Sequence, residues 1–348
     1  MANEVDKDGE FSLPKPDKRR FRDTTGRLRQ GKEKHLSHRA SLDWRLDQRS
    51  VCEVAAAGAD IVAIEDLKAV LMQSRTAETL LTGPQAETLH IVYDAQMPAS
   101  QFYPPTKDRA ATITLNPFRP KGDLLNLLAR ELRRNWQHFH GALVNPMDFE
   151  PDEAILVNRA QQADVLMVSI KIGWELKLGG ISEAWDYLVG SPMSDVSRTF
   201  EIKAQTDFRS LNNGEAARAA YDKFFEDSRT KIHDKRIIHQ MLLDEAGYMK
   251  SQKERSRVSM ELFKRLGEMP HGKNYLSMKA TRTPLDTCYA TVEDRSNANF
   301  LWFIKFERSF QEKEQQMIRE SVKLSAEVVD FARFAHTSRR TGAADQQA

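Results

Sequence analysis

Two arginines four residues apart enclose a glutamate in the stretch LLARELRRNWQHFHG, residues 127–141. In an α-helix, positions four apart lie on one face, so Arg130, Arg134 and His138 would form a line with Glu131 beside it. An arginine beside the glutamate can neutralise it in an ion pair. Alternatively, paired arginines beside a cleft can bind a carboxylate or phosphate through paired hydrogen bonds. Of the two alternatives, we favour the ion pair.

The spacing is also that of a zinc-binding helix. In such a helix, two histidines four apart hold the metal and the glutamate between them polarises a metal-bound water. Here Arg130 and Arg134 stand where the histidines would be. A guanidinium remains protonated in proteins and has no lone pair to offer, so neither arginine can bind zinc. We therefore expect no cofactor at these positions.

The surrounding sequence resembles a bacterial family of unknown function, described as putative metallopeptidases of the zincin type. The resemblance spans about 93–225 and rests on AATITLNP, on RELRRNWQ, where family members carry HELRHAWQ, and on LVNRAQQADVLMVSIKIGWEL. It implies zinc as the family cofactor and places Arg130 and Arg134 at the histidine positions. It also places Glu131 at the general-base position and Gln162 at that of a third, glutamate ligand. Gln162 is compatible with a hydrogen bond from either arginine, which would close the metal cavity.

A relocated metal site is a further alternative. Its ligands would be His138, His140 and a carboxylate such as Asp164. On a helix, residues two apart point about 200° apart, so the histidines could chelate together only if the helix ended near Gln137. The favoured interpretation is that both histidines lie at a helix end before Gly141, where they complement the helix dipole.

The pattern predicts an α+β, mainly α-helical fold, with a zincin-like core of a small sheet, an active-site-type helix and a long second helix. Strands are predicted at 90–97 and 110–116, with PASQFYPP as a loop between them. The first core helix should follow an N-cap at Asp123, and the second should span Pro151–Leu178 between a proline and two glycines. The other predicted helices lie within 51–81, at 182–189, 215–225, 236–250 and 299–334.

Composition suggests the domain organisation and the compartment. Between Lys15 and Arg39 there are 10 Lys/Arg against three acids, although the whole chain of 348 residues has a net charge of only +2. We expect a disordered basic arm at 1–45, a metallopeptidase-like domain at 50–250, a helical extension at 251–335 and a disordered tail at 336–348.

No apolar run approaches the roughly 18 to 20 residues of a membrane span, and the N-terminus lacks the apolar core of a secretory signal. These features favour a cytoplasmic protein without a membrane partner.

Two other segments are candidates for binding. The cluster RTKIHDKR, residues 229–236, is interpreted as a solvated helix end. The aromatic segment NFLWFIKFERSF, residues 299–310, is explained by packing against the first domain, whereas exposure of its rings would indicate an interface.

Cys52 and Cys288 form no CxxC pattern, and serine-hydrolase and phosphate-binding motifs are missing from the sequence.

The favoured interpretation is a catalytically inactive, metallopeptidase-like protein that acts as a binding or scaffolding module for a protein or peptide. Its cleft would be lined by Arg130, Glu131, Arg134 and Gln162. One alternative is an active metal-dependent hydrolase with relocated ligands and Glu131 as its general base. The other is nucleic-acid binding through the basic arm.

Overall fold

Helices make up most of the described chain. The computed structural model describes residues 61–226, 229–243, 258–277 and 287–341, which belong to one structural unit. The predicted α+β, mainly α-helical fold is confirmed. No described helix is long and apolar enough to cross a membrane. The α-helices are α1 (Ile64–Leu71), α2 (Arg75–Thr82), α3 (Lys121–Phe139), α4 (Pro151–Leu178), α5 (Glu183–Gly190), α6 (Ser194–Thr206), α7 (Ser210–Asn213), α8 (Glu215–Lys223), α9 (Arg229–Leu243), α10 (Met260–Leu266), α11 (Thr287–Ala290) and α12 (Arg295–Thr341).

A three-stranded sheet precedes α3. Its strands are β1 (His90–Tyr93), β2 (Ser100–Tyr103) and β3 (Thr112–Leu115), in the order β1-β3-β2. The central strand β3 pairs with β1 in parallel and with β2 in antiparallel orientation. The predicted loop therefore contains a strand. Its sequence SQFY has no β-branched residue, and the backbone pairing with β3, which lies later in the chain, determines its conformation.

The leucine face of α3 fixes the orientation of the helix. Leu124, Leu128 and Leu132 are fully buried in the main core. Because Arg130, Glu131 and Arg134 lie on another part of the helix circumference, this packing determines where they point. The helix begins at Lys121, earlier than the predicted N-cap at Asp123 would allow.

A glycine in the first turn of α3 permits close contact with α5. A Cβ atom at Gly122 would lie 2.4 Å from the carbonyl oxygen of Glu183. The Asn126 side-chain amide also donates to the carbonyl oxygens of Gly122 and Ala184, each at 2.8 Å. These contacts hold the N-terminal part of α3 against α5.

The long helix α4 has the predicted bounds, Pro151–Leu178. It contacts α3, α5, α8 and α9, and most of its residues are buried. A helix surrounded in this way turns even its polar side chains toward neighbouring elements. Arg159 and Asp164, for example, are both buried.

The structure contains helices that the sequence did not predict, which are α6, α7, α10 and α11, and it shifts the start of α9. α6 packs through Val196, Phe200 and Ala204, which are spaced four apart and buried. α9 begins at Arg229 instead of Arg236. Its first turns are held by neighbouring elements, which the sequence pattern alone did not indicate.

Segments after α9 pack on the same core. Phe263 and Leu266 of α10 and Tyr275 and Leu276 beyond it belong to the main cluster. A smaller apolar cluster joins three elements, namely the start of α4, the helix α9 and the helix α12. Its residues include Ile155, Ile237, Leu301 and Ile304.

The predicted arm at 1–45, the boundary at 250–251 and residues 342–348 of the predicted tail lie outside the described residues. α12 runs to Thr341, past its predicted end at Phe334.

Candidate functional site

Glu131 lies in a buried hydrogen-bond network between β2 and α3. Its side chain is 1% exposed. Oε1 accepts a hydrogen bond from Ser100 Oγ at 2.7 Å and another from Arg134 Nη1 at 2.6 Å. Oε2 is also buried and has no hydrogen-bond partner among the described residues. One carboxylate oxygen is therefore already occupied by protein donors.

Arg134 extends this network to α4. Its Nη2 donates to Oε1 of Gln162 at 2.9 Å, while Nη1 bonds Glu131. The chain of contacts from Ser100 through Glu131 and Arg134 to Gln162 joins β2, α3 and α4. This is the contact pattern that the ion-pair interpretation of the sequence predicts. We call these four residues the Glu131 network.

Arg130 lies beside a small cavity. It shares the lining of this cavity, about 40 Å³ in volume, with Arg119, Asp123 and Tyr187, among others. Arg119 Nη1 pairs with Asp123 Oδ2 at 3.4 Å. Burial and the neighbouring Asp123 raise the pKa of the Tyr187 hydroxyl well above its usual range. The cavity has room for water molecules but not for a peptide segment.

His233, on α9, also lies near the arginines of α3. Burial, followed by the positive charges of Arg130, Arg236, Arg134 and Arg159, lowers its pKa to about 3. The imidazole is therefore neutral at neutral pH. The segment begins α9 and is solvated on one face only: Lys231, Ile232 and Lys235 are exposed, whereas Arg229, His233 and Asp234 are buried.

The residues present do not fit zinc, the cofactor that the resemblance implies. Zinc sites in proteins use at least three ligands drawn from His, Cys, Asp and Glu. Within the described ranges, no three such side chains are arranged to hold a metal ion. The positions that the resemblance assigns to the metal ligands hold two guanidinium groups and the amide of Gln162, which already accepts a bond from Arg134.

The structure does not bring His138, His140 and Asp164 together as a ligand set. α3 continues to Phe139, beyond the point at which both histidines could chelate. His140 Nδ1 lies 2.9 Å from the Trp136 carbonyl oxygen, and its ring stacks on the Trp136 indole with centroids 3.8 Å apart. The His138 ring lies 6.1 Å from that of Phe102, between centroids.

Asp164 belongs to a different buried network. Arg133 donates to it twice, from Nε to Oδ2 at 2.7 Å and from Nη2 to Oδ1 at 3.0 Å. Gln137 Nε2 and the Tyr275 hydroxyl each donate to it at 2.6 Å. Arg133 and Asp164 are both fully buried. Arg133 Nη2 also donates to the carbonyl oxygens of Leu266 and Glu268, each at 2.8 Å, which ties α3 and α4 to the segment after α10.

Sequence reasoning missed this Asp164 network and a third buried ion pair. In the latter, Arg159 of α4 makes two hydrogen bonds to Asp234 of α9, at 2.8 and 2.6 Å, and also bonds the carbonyl oxygens of Tyr289 and Thr291. The available signal was the placement of charged residues inside α4, a helix whose apolar residues extend around most of its circumference. Burial in such a helix requires a partner for each charge.

The sequence was compared with protein families, curated proteins and solved structures. Residues 49–277, more than half of the chain, match the model of the family described as "Putative metallopeptidase family (DUF6782)". The matched range includes every residue of the Glu131 and Asp164 networks. The comparisons with curated proteins and with solved structures gave no significant match.

Proposed function

This chain belongs to the putative metallopeptidase family (DUF6782), and we propose that it is a catalytically inactive member that acts as a binding or scaffolding module. The Glu131 network carries the proposal. Arg134 and Gln162, at two of the three positions implied for metal ligands, bond to each other, and Arg134 also bonds the glutamate that would be the general base. These contacts between the side chains support the proposal.

The chemistry of the donors supports this role. A metal-dependent peptidase needs lone pairs directed at one point, and guanidinium groups supply only N–H donors. Two cations beside that point would also repel a zinc ion. Oε1 of Glu131 accepts two protein hydrogen bonds, so the polarisation of a water would fall to Oε2 alone.

The buried ion pairs around the network favour a binding role. The Arg133–Asp164 pair joins α3 to α4, and the Arg159–Asp234 pair joins α4 to α9. A rigid framework presents a surface at low entropic cost when a partner binds. The partner that we propose is a protein or peptide, because aromatic residues of α12 are exposed and exposed apolar surface of this kind marks interfaces.

Metal content is the first test. The purified, untagged protein would be exposed to zinc, dialysed extensively and analysed by mass spectrometry, with a peptidase assay on the same sample. We expect metal near zero per chain and no hydrolysis. About one zinc per chain, with hydrolysis that Glu131→Gln abolishes, would overturn the proposal in favour of the active hydrolase.

A restoration variant tests whether the positions are equivalent to zinc ligands. We expect Arg130→His with Arg134→His and Gln162→Glu to bind about one zinc per chain. The matched control, Arg130→Gln with Arg134→Gln and Gln162→Glu, removes the same charges without supplying imidazoles and should bind none. A folded restoration variant that fails to bind zinc would contradict the assignment of these positions.

Nucleic-acid binding is the second candidate function, which the excess of 10 Lys/Arg over three acids between Lys15 and Arg39 favours. If the arm binds phosphates, the full chain should be retained on immobilised DNA at low salt and released as salt rises. Deletion of residues 1–45 should abolish retention. Retention that survives the deletion would rule out the arm as the binding segment.

A further inference from the structure

Strand β1 forms an exposed edge of the sheet. It lies at one end of the order β1-β3-β2, and none of its four residues is buried, whereas three of the four residues of the other edge strand, β2, are buried. The N–H groups of His90 and Asp94 donate to carbonyl oxygens in and just before β3. Because successive residues of a strand direct their backbone groups to opposite sides, those of Ile91 and Tyr93 point away from β3. They have no hydrogen-bond partner among the described residues.

An apolar groove of about 380 Å³ lies beside this edge, between α1 and β1. Its apolar lining comes from the two helices that precede the sheet and from the segment that enters β1: Ala69, Met72, Leu81, Ala86, Leu89 and Ile91. The side chains of a strand alternate between its two faces. A strand added alongside β1 would therefore direct every second side chain toward the groove.

The edge and the groove together fit an extended peptide. Unpaired N–H and C=O groups along a sheet edge are satisfied by another extended backbone, and a groove beside them selects the alternate side chains of that backbone. A helical ligand does not meet this need, because its backbone groups are bonded within the helix. The ligand is thus an extended segment with apolar side chains at alternate positions.

The charges that border the groove determine which peptide it favours. In residues 64–72 and 81–94, four carboxylates stand against a single lysine or arginine, and all four are exposed: Glu65, Asp66, Glu87 and Asp94 against Lys68. Burial and the charge of Asp66 raise the pKa of the Tyr93 hydroxyl, so Asp66 lies near β1. A basic peptide is complementary to this border, whereas a second copy of the chain would bring the same acidic border against it.

We propose that the exposed edge of β1 binds an extended, basic peptide segment of a partner protein, which adds a strand to the sheet. Lysine or arginine side chains of this segment face the acidic border, and its alternate apolar side chains enter the groove. The inference names a partner class for the binding role proposed above and rests on the proposed function in that respect.

The tests of the two proposals are distinguishable. Zinc content and hydrolysis report on the Glu131 network, whereas peptide affinity reports on β1. A chain that binds both zinc and the peptide would overturn the inactive site and leave the inference intact. A zinc-free chain that does not bind the peptide would do the reverse.

Fluorescence anisotropy provides the test. The probe is a labelled peptide in which lysine and valine alternate, titrated with the full chain. One control peptide has glutamate in place of lysine, and the other has the lysine–valine sequence with N-methylated backbone amides. We expect saturable binding of the probe, with both controls bound at least about 10-fold more weakly, since one has the wrong charge and the other cannot donate backbone hydrogen bonds.

A proline variant tests the strand edge. Ile91→Pro removes an N–H that points away from β3, a position at which an edge strand tolerates proline. The matched control, Ile91→Ala, shortens the groove side chain to a similar or greater extent but keeps the N–H. We expect Ile91→Pro to bind the probe about 5-fold or more weakly than Ile91→Ala does.

A charge variant tests the acidic border. Asp66→Asn with Glu87→Gln removes two carboxylates and should weaken binding about 5-fold at low salt, with a smaller difference as salt rises. The matched control is Glu314→Gln with Glu320→Gln, which removes two exposed carboxylates of α12. This control should bind the probe as wild type does.

Three results would overturn the proposal. The first is a full chain that shows no saturable binding of the probe. The second is equal affinity in Ile91→Pro and Ile91→Ala or, if Ile91→Pro fails to fold by circular dichroism and urea unfolding, equal affinity in the charge variant and its control. The third is a wild-type dimer in sedimentation equilibrium that Ile91→Pro dissociates, because a second copy would then occupy the edge.

Discussion

Arg133 and Arg134 are neighbours on α3, both buried, yet their carboxylate partners are bonded to different extents. Asp164 accepts four hydrogen bonds, two from Arg133 and one each from Gln137 and Tyr275. Glu131 accepts two, both at Oε1, while Oε2 has no hydrogen-bond partner among the described residues. The Asp164 network therefore has the saturated bonding expected of a structural ion pair. The Glu131 network leaves one acceptor atom without a hydrogen bond from the described residues, on the glutamate that the resemblance assigns to the general-base position.

The helix geometry explains why adjacent arginines have such different surroundings. Consecutive residues of an α-helix point about 100° apart. Arg133 therefore reaches Asp164 of α4 and the carbonyl oxygens of Leu266 and Glu268, whereas Arg134 reaches Gln162 of α4 and Glu131. A buried arginine thus has no fixed role. Its place on the helix determines which partner it bonds.

The largest effect should follow from breaking the Asp164 network. Arg133→Met leaves a buried carboxylate without its cation, and we expect a loss of about 3 to 5 kcal/mol in the free energy of unfolding, measured in urea. The control is Arg133→Met with Asp164→Leu, which removes both charges and should recover part of the loss, because Gln137 and Tyr275 would then lack their acceptor. A single variant that loses less than about 1 kcal/mol would contradict the structural role that the comparison assigns to this pair.

The fold was more predictable from sequence than the contacts of its charged side chains. The bounds of α4 follow from local chemistry, a proline at its first position and glycines after its end, and the structure reproduces them. Strand β2 has no such signal, because its pairing with β3 is a contact between distant residues. Long-range pairing of this kind cannot be read from the composition of the strand.

The same distinction applies to the candidate site. The sequence left a hydrogen bond from Gln162 open to either Arg130 or Arg134, because the family resemblance assigned all three residues to one site; the structure has the bond from Arg134. The contact of Arg133 with Asp164 was not predicted, because Arg130, Arg133 and Arg134 look alike in sequence and nothing local identifies which one reaches Asp164. Asp164 was assigned instead to a possible metal site with His138 and His140.

The burial of His233, beside the arginines of α3, can be measured through its pKa. Its folded pKa of about 3 lies below its ordinary value of 6.5, so the unfolded chain binds more protons between these values. Stability is thus fully present above about pH 6.5 and falls as pH drops toward 3, by up to about 1.4 kcal/mol per pH unit. His233→Gln should show a shallower loss of stability between pH 6.5 and 4. Identical slopes for the variant and wild type would mean that His233 is protonated in the folded protein.

A smaller loss is expected from Arg134→Met. Glu131 keeps its bond from Ser100, and Arg130 remains nearby, so we expect a loss of about 1 to 3 kcal/mol in unfolding free energy. Arg134→Lys preserves the charge but not the forked geometry that bonds Glu131 and Gln162 together, and it should give an intermediate loss. If Arg134→Met cost as much as Arg133→Met, the two networks would be equally structural, and the contrast between them would disappear.

The smallest effect should come from an exposed ion pair whose N···O distance equals that of the buried Arg134–Glu131 pair. Lys305 Nζ lies 2.6 Å from Asp152 Oδ2, as close as Arg134 Nη1 is to Glu131 Oε1, but the Lys305 and Asp152 side chains are 49% and 54% exposed. Water and salt screen such a pair, so Lys305→Ala should change the unfolding free energy by no more than about 0.5 kcal/mol. A double-mutant cycle with Asp152→Ala isolates the interaction. A coupling above about 1 kcal/mol would show that this pair clamps α12 to α4, and that exposure does not rank the ion pairs of this protein.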